Sequence, residues 1–139
     1  MSNSTANNPP ESTLREWMLV VDDDAPIRRM VVSCFAADGI EVIAASSGAE
    51  ALQLVALRDT EPVLALVDVL MPGIDGLTLA KRLLARFKRG TILIMSGHMT
   101  DLSWWPVELR EIAFLPKPFR IAALQEHLAE ARANYHGRK

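Results

Sequence analysis

Four charged side chains, far apart in the sequence, each follow a short apolar run. Asp22 and Asp23 follow MLVV, Asp68 follows VLALV, and Lys117 follows AFL and one proline. If the runs are parallel strands, these side chains meet at the carboxyl edge of one sheet, where ligands bind in open α/β folds. Carboxylates gathered there repel one another unless a cation lies among them. The pattern therefore predicts a hard divalent cation, magnesium, with phosphate chemistry beside it.

Each of these residue types can bind a metal or take part in phosphoryl transfer. Magnesium prefers oxygen ligands, which Asp22, Asp23 and Asp68 can supply. Asp68 can also act as a nucleophile toward phosphorus, and Lys117 can offset phosphoryl charge. Ser96 follows the fourth apolar run and can donate its hydroxyl to a phosphoryl oxygen. The plainer alternatives are helix caps for Asp22 and Asp23, turn residues for Asp68 and Ser96, and a solvated lysine for Lys117.

The surrounding sequence predicts five strands that alternate with helices, which indicates an α/β domain with a mostly parallel sheet. Asp24 is a candidate N-cap for the first helix, and Ser47 with Glu50 forms a candidate capping box for the second. Gly39 is expected to end the first helix. The predicted strands are 17–21, 40–44, 63–67, 91–95 and 113–115, and the final helix is predicted to run from 121 to about 135.

Length and composition indicate one soluble domain. The 139 residues include a polar stretch, 1–16, that we expect to be a flexible tail, a domain at 17–135 and a short tail at 136–139. The formal net charge of −2 gives no case for direct nucleic-acid binding, and no apolar run approaches the ~20 residues that span a membrane. The one cysteine, Cys34, cannot form a disulfide within the chain, so we expect a reducing, cytoplasmic location.

The segment between the fourth and fifth strands is less regular. A fourth helix is expected there, but Pro106 would break it if it lay in the interior. Trp104 and Trp105 are adjacent and cannot share one helical face, so at least one of them should be partly exposed. The plainer interpretation is that one tryptophan caps the core and the other lies on the surface; the alternative is that the pair belongs to a partner-binding surface.

Four motifs resemble the receiver domain of two-component response regulators. They are LVVDDDAPIRR at 19–29, LVDVLMPGIDG at 66–76, ILIMSG at 92–97 and FLPKPF at 114–119. The motifs follow the family's order and spacing, and the resemblance covers about residues 17–135. It implies a doubly wound, flavodoxin-like parallel sheet of strand order 2-1-3-4-5, flanked by helices.

The resemblance also implies a role for each site residue. Asp68 would be the phospho-acceptor, with Mg²⁺ held by Asp22, Asp23, Asp68 and the backbone carbonyl of Leu70. Lys117 would pair with the phosphoryl group, before a cis bond to Pro118.

Further residues would switch or tune the site. Ser96 would move toward the phosphoryl group, Gly97 belongs to the same loop, and the aromatic Phe114 would turn inward behind it. Phe114 replaces the family's commoner tyrosine and lacks a hydroxyl that could favour an outward rotamer. Leu70 and His98 would flank the path of the attacking water, although His98 read by itself is a loop residue.

The function implied is a phospho-accepting signalling switch rather than an enzyme with its own substrate. A histidine kinase or phosphotransfer protein would be the phosphodonor, and a downstream protein effector would bind through the fourth-helix and fifth-strand face, which includes Trp104 and Trp105. A phosphorylation-dependent homodimer stays open. No output domain follows residue 135, so we expect a stand-alone receiver or one cut from a longer protein.

Two other functions stay open. A magnesium-dependent phosphohydrolase would use Asp68 as its nucleophile, but enzymes of the haloacid-dehalogenase type need a second aspartate two positions later, where this chain has Leu70. A receiver whose phosphorylation is silent would bind partners through its tryptophan surface alone.

Overall fold

Five parallel strands form a single sheet in the order β2-β1-β3-β4-β5. The structure, a computed structural model, describes residues 16–69, 76–97, 107–109 and 112–137. The strand order is the one that the family resemblance implied, so the predicted fold class is confirmed. The strands are β1 (Trp17–Val21), β2 (Glu41–Ala45), β3 (Leu64–Asp68), β4 (Thr91–Ser96) and β5 (Ala113–Pro116).

Helices cover both faces of the sheet, because successive residues of the central strands point to opposite sides. Trp17, Leu19 and Val21 of β1 belong to one apolar cluster, whereas Met18 and Val20 belong to the other. The cluster that contains Trp17, referred to as the first apolar cluster, packs beneath the second and third helices. The cluster that contains Met18 packs beneath the first helix and the last one. The helices are α1 (Ala25–Phe35), α2 (Gly48–Ala56), α3 (Gly76–Arg86) and α4 (Ile121–Gly137), with 3-10 turns at Ala36–Asp38 and Val107–Leu109.

The helix ends follow the predicted signals with two differences. Gly39 has φ +73, a left-handed conformation that other residues adopt only with strain, and it ends the 3-10 turn after α1. Asp24 occupies the N-cap position of α1, but its side chain makes no cap hydrogen bond. Ser47 Oγ accepts the N–H of Glu50 at 3.1 Å, as predicted. The Glu50 carboxylate, however, accepts the N–H of Ser46 at 2.7 Å, one residue before the donor that a capping box uses.

Glu16, the first described residue, contacts the last turns of α4. Glu16, which was expected in the flexible tail, lies 2.5 Å from Arg132 Nη2 and 2.5 Å from His136 Nε2. Its backbone carbonyl accepts the N–H of Glu41 at 3.0 Å. The helix continues through His136 to Gly137, past the predicted end near 135. The Glu16 carboxylate therefore joins the residue before β1 to the last turns of α4.

Two predictions concern residues that the structure does not describe. The predicted flexible tail lies outside the described residues except for Glu16. Trp104, Trp105 and Pro106, in the helix expected between β4 and β5, also lie outside them. In that region the structure describes only the 3-10 turn, in which Leu109 is buried against the first apolar cluster. None of the described helices has the length and apolar character needed to cross a bilayer.

Candidate functional site

The register of the sheet brings the charged residues together at its carboxyl edge. Val21 pairs with Val67, so Asp22 and Asp68 are the next residues on two adjacent strands. On the other side of β3, Asp68 pairs with Met95. Parallel strands in this register end at the same level, and their terminal side chains therefore share one crevice.

The three predicted acids form a compact cluster. Asp22, Asp23 and Asp68 each offer a carboxylate oxygen, and these oxygens lie within 4.8 Å of one another. Asp22 is fully buried, Asp68 is 6% exposed and Asp23 is exposed. Two unit charges at that separation repel by about 3 kcal/mol at an effective dielectric constant of ~20. A set of oxygen donors with this much excess charge fits Mg²⁺, which takes carboxylates and water in octahedral geometry.

Asp22 is held firmly although it is a buried charge. Its N–H donates to Ala45 O at 3.2 Å, and its Oδ1 accepts the N–H of Asp24 at 3.0 Å. Arg28 donates from Nη1 to the backbone carbonyl of Asp22 at 2.7 Å. Buried carboxylates are tolerated only with such partners. Arg28 was not predicted as a site residue, although it links the acidic loop to α1 through this hydrogen bond. Its place in the motif DDDAPIRR is the only signal of that role.

Lys117 lies between two of the acids. Its Nζ donates to Asp22 Oδ2 at 2.8 Å and lies 3.6 Å from Asp68 Oδ1. Burial lowers the pKa of Lys117, but the hydrogen bond and charge of Asp22, followed by the charge of Asp68, outweigh it and raise that pKa above the ordinary value. The N–H of Lys117 donates to Ser96 O at 2.8 Å, and the bond to Pro118 is cis, as the resemblance implied. This ammonium group can therefore neutralise charge at either carboxylate.

Ser96 and Gly97, two residues of the expected switch, lie beside Lys117. Ser96 is 1% exposed and is the last residue of β4 rather than a turn residue, so the plain-turn alternative is wrong. Gly97 follows it, and a Cβ there would meet only Lys117 Cβ at 3.8 Å. Phe114 is half-buried and packs against the first apolar cluster. Movement of Ser96 and Phe114 on phosphorylation stays a prediction. Leu70 and His98 lie outside the described residues.

Gly76 is a site residue that the sequence argument missed. It is the first residue of α3, and its N–H donates to Val69 O at 3.1 Å. A Cβ built on Gly76 would lie 1.8 Å from the backbone oxygen of Asp68 and 2.6 Å from its carbonyl carbon. Only glycine allows α3 to approach the end of β3 this closely. The final glycine of LVDVLMPGIDG was the available signal.

Comparison with known proteins agrees with this geometry. Residues 18–129 match the family model of the response regulator receiver domain. The DNA-binding transcriptional regulator NtrC of Escherichia coli K12 is 38% identical over 104 residues, which are 73% of this chain and 22% of NtrC. The chain therefore spans under a quarter of the length of that relative.

Two further matches cover nearly the whole of the compared proteins. Sporulation initiation phosphotransferase F of Bacillus subtilis is 29% identical over 114 residues, which are 81% of this chain and 90% of the relative. The crystal structure of the signal receiver domain of an HD domain-containing protein from Pseudomonas fluorescens Pf-5 superposes with a TM-score of 0.80 at 26% identity. It covers 89% of this chain and 99% of that structure.

Proposed function

The chain belongs to the response regulator receiver domain family, and we propose that it is a phospho-accepting switch modified on Asp68. The phosphoryl donor is a phosphohistidine of a histidine kinase or of a phosphotransfer protein. Phosphorylation changes the affinity of the domain for a protein partner. A cytoplasmic location belongs to the same proposal.

The observation that carries this proposal is the clustering of three carboxylates within 4.8 Å around the end of β3, with Lys117 3.6 Å from Asp68. A carboxylate oxygen of Asp68 attacks phosphorus, the P–N bond of the phosphohistidine breaks, and its electron pair returns to the imidazole nitrogen. Lys117 offsets the charge on the transferred phosphoryl group. Asp22, Asp23, Asp68 and the carbonyl of Leu70 would hold Mg²⁺, which would supply further positive charge to the phosphoryl oxygens.

The signal then leaves the site through β4 and β5. Ser96 ends β4 directly beside the cluster, and its hydroxyl donates to the new phosphoryl group. Phe114 turns inward as Ser96 moves. Leu70 and His98 flank the path of the water that removes the phosphoryl group. The face formed by β5 and the segment before it, including Trp104 and Trp105, presents the change to the partner.

A phosphorylation assay tests the proposal directly. The protein is incubated with Mg²⁺ and acetyl phosphate, and phosphoprotein is measured by intact mass and by mobility on a phosphate-binding gel. Wild type and Asp59→Asn, which changes an exposed acid away from the site, should be modified in a Mg²⁺-dependent manner. Asp68→Asn should not.

Two results would contradict the proposal. One is phosphorylation of Asp68→Asn at the wild-type rate, since the acceptor would then be another residue. The other is steady, fast hydrolysis of a phosphoester such as p-nitrophenyl phosphate without a phosphoprotein that lasts minutes, which would favour a phosphohydrolase.

A further inference from the structure

The outer face of α3 and the turn that follows it carry a concentrated positive charge. Five of the chain's 15 lysines and arginines fall within nine residues, and no acid occurs from 76 to 90. All five side chains are exposed: Lys81, Arg82, Arg86, Lys88 and Arg89. We refer to these five residues together with Leu84 as the basic face of α3. Its charge is opposite in sign to the net charge of the chain, −2.

Ion pairs within the described residues do not account for the arginines of this face. Among the described residues, Arg82, Arg86 and Arg89 make no ion pair, whereas Arg58 pairs with Glu41 at 2.7 Å. Cations in the last turn of a helix are favoured by its dipole, which explains Arg86. That effect falls off within one turn and does not explain Arg82. The exposed arginines therefore remain available to another molecule.

An exposed apolar residue lies within the same surface. Leu84 is 41% exposed, although most leucines of the domain are buried. It is three residues after Lys81, so these two side chains lie on one side of the helix, whereas Arg82 and Arg86, four residues apart, lie together on another. Arginine is enriched at protein interfaces and pairs with carboxylates through two parallel hydrogen bonds. We propose that the basic face of α3 docks an acidic segment of a partner protein, whose carboxylates pair with Arg82 and Arg86.

The charge of the whole chain favours a protein partner over an extended polyanion. The net charge of −2 repels nucleic acid beyond this face, and tight non-specific DNA binding needs about 6–10 phosphate contacts. A second copy of the chain offers the exposed pair Glu126 and Glu130 of α4 as one acidic surface among the described residues. That contact would join two different surfaces and would build a ring or an open filament rather than a two-fold dimer.

The position of α3 couples this surface to the phospho-acceptor. The helix begins at Gly76, which rests on the backbone of Asp68 and donates its N–H to Val69 O at 3.1 Å. A partner that shifts α3 moves the end of β3, and a change at Asp68 shifts α3 in return, since coupling between two sites is reciprocal. This coupling, but not the docking itself, rests on the function proposed above.

Fluorescence anisotropy with a defined probe tests the docking. The probe is a labelled helical peptide of repeated Glu and Leu, and the full chain is titrated into it at low salt. Arg82→Glu should weaken binding about tenfold. Arg29→Glu, an exposed site on α1 with the same change of charge, should weaken it less than twofold. Equal losses in the two variants would overturn the proposal, as would tighter binding of duplex DNA, of anionic vesicles or of a second copy of the chain.

A second titration separates the coupling from the docking. Beryllofluoride with Mg²⁺ mimics the acyl phosphate, and it should change the affinity for the peptide at least threefold in wild type but not in Asp68→Asn. An unchanged affinity in a protein that acetyl phosphate does modify would overturn the coupling. If acetyl phosphate fails to modify the protein, the function proposed above fails, while the comparison of Arg82→Glu with Arg29→Glu still decides the docking.

Discussion

Replacing Gly76 by alanine should damage both the stability of the domain and the chemistry at Asp68. The added Cβ would lie 1.8 Å from the backbone oxygen of Asp68, and real Cβ atoms essentially never come closer than 3.0 Å. Either α3 or the end of β3 must therefore move by at least 3.0 − 1.8 = 1.2 Å. Overpacking of this kind costs typically 1–3 kcal/mol, and a displacement of ~1 Å at a reacting group can cost about 100-fold in rate. The obstacle is backbone rather than a flexible side chain, so we expect the upper end of that range.

Three other glycines provide matched controls for this substitution. Gly137→Ala, at the end of α4 with nothing within 4 Å, should be neutral or stabilising by up to about 1 kcal/mol. Gly97→Ala would place its Cβ 3.8 Å from Lys117 Cβ, the nearest atom among the described residues, and should leave stability almost unchanged. Gly39→Ala has space but requires φ +73, so it should lose about 1 kcal/mol without affecting phosphorylation.

The assays are urea unfolding and the rate of modification by acetyl phosphate with saturating Mg²⁺. If Gly76→Ala unfolds at the same urea concentration as Gly97→Ala and is phosphorylated at the wild-type rate, the close approach of α3 to Asp68 does not constrain the site. A stability loss without a loss of rate would show that α3 alone moves and that Asp68 stays in place.

Three further predictions follow from charges at and away from the site. In urea unfolding, Lys117→Met should destabilise the domain to the same extent from pH 7 to about pH 10, and the loss should disappear at more alkaline pH. The reason is that the pKa of Lys117 is raised in the folded protein. A raised pKa gives stability that is fully present below the ordinary value of 10.5 and is lost above the folded-state pKa. Glu61→Ala should lower the free energy of unfolding by about 1–3 kcal/mol at pH 7, because the N–H groups of residues 88–90 lose their acceptor. Burial raises the pKa of Glu61, but these N–H groups outweigh that effect and bring the pKa below its ordinary value of 4.5. The stability difference should therefore shrink as pH falls below 4.5 in acid titrations of thermal unfolding. Mg²⁺ at 100 times its Kd should stabilise wild type by about 2.7 kcal/mol in differential scanning fluorimetry, and Asp23→Asn should lose most of this gain; an equal gain in the variant would contradict a role for Asp23 as ligand.

The sequence was sufficient to predict that the charged side chains meet at one edge of the sheet, because two signals agreed. Continuous apolar runs identified buried parallel strands, and the charge after each run marked a strand end. Asp22, Asp68 and Lys117 then had to converge, because parallel strands share their carboxyl edge. Their contacts in the structure, 2.8 and 3.6 Å from Lys117 Nζ, match that expectation. Prediction succeeded here because topology alone decides the arrangement.

Features that depend on atomic distances between elements could not be predicted in the same way. Gly76 is conspicuous only once α3 is seen to touch the carbonyl of Asp68. Glu50 caps through Ser46 because the local backbone presents that N–H at 2.7 Å, whereas the capping-box pattern predicts Ser47. The pairing of Glu16 with Arg132 joins residues 116 apart, which no local pattern reveals. Such contacts follow from packing rather than from periodicity.

The unequal distances from Lys117 to its two acids bear on how the switch begins. Its Nζ is 2.8 Å from Asp22 but 3.6 Å from Asp68, so its stronger hydrogen bond is to the proposed metal ligand and not to the proposed acceptor. A cation that takes the Asp22 carboxylate competes with that hydrogen bond, because one oxygen cannot hold both at full strength. Lys117 would then gain by moving toward Asp68, whose charge is next in its surroundings. If Asp68 is the acceptor as proposed, metal binding would therefore move Lys117 toward it without any movement of the sheet.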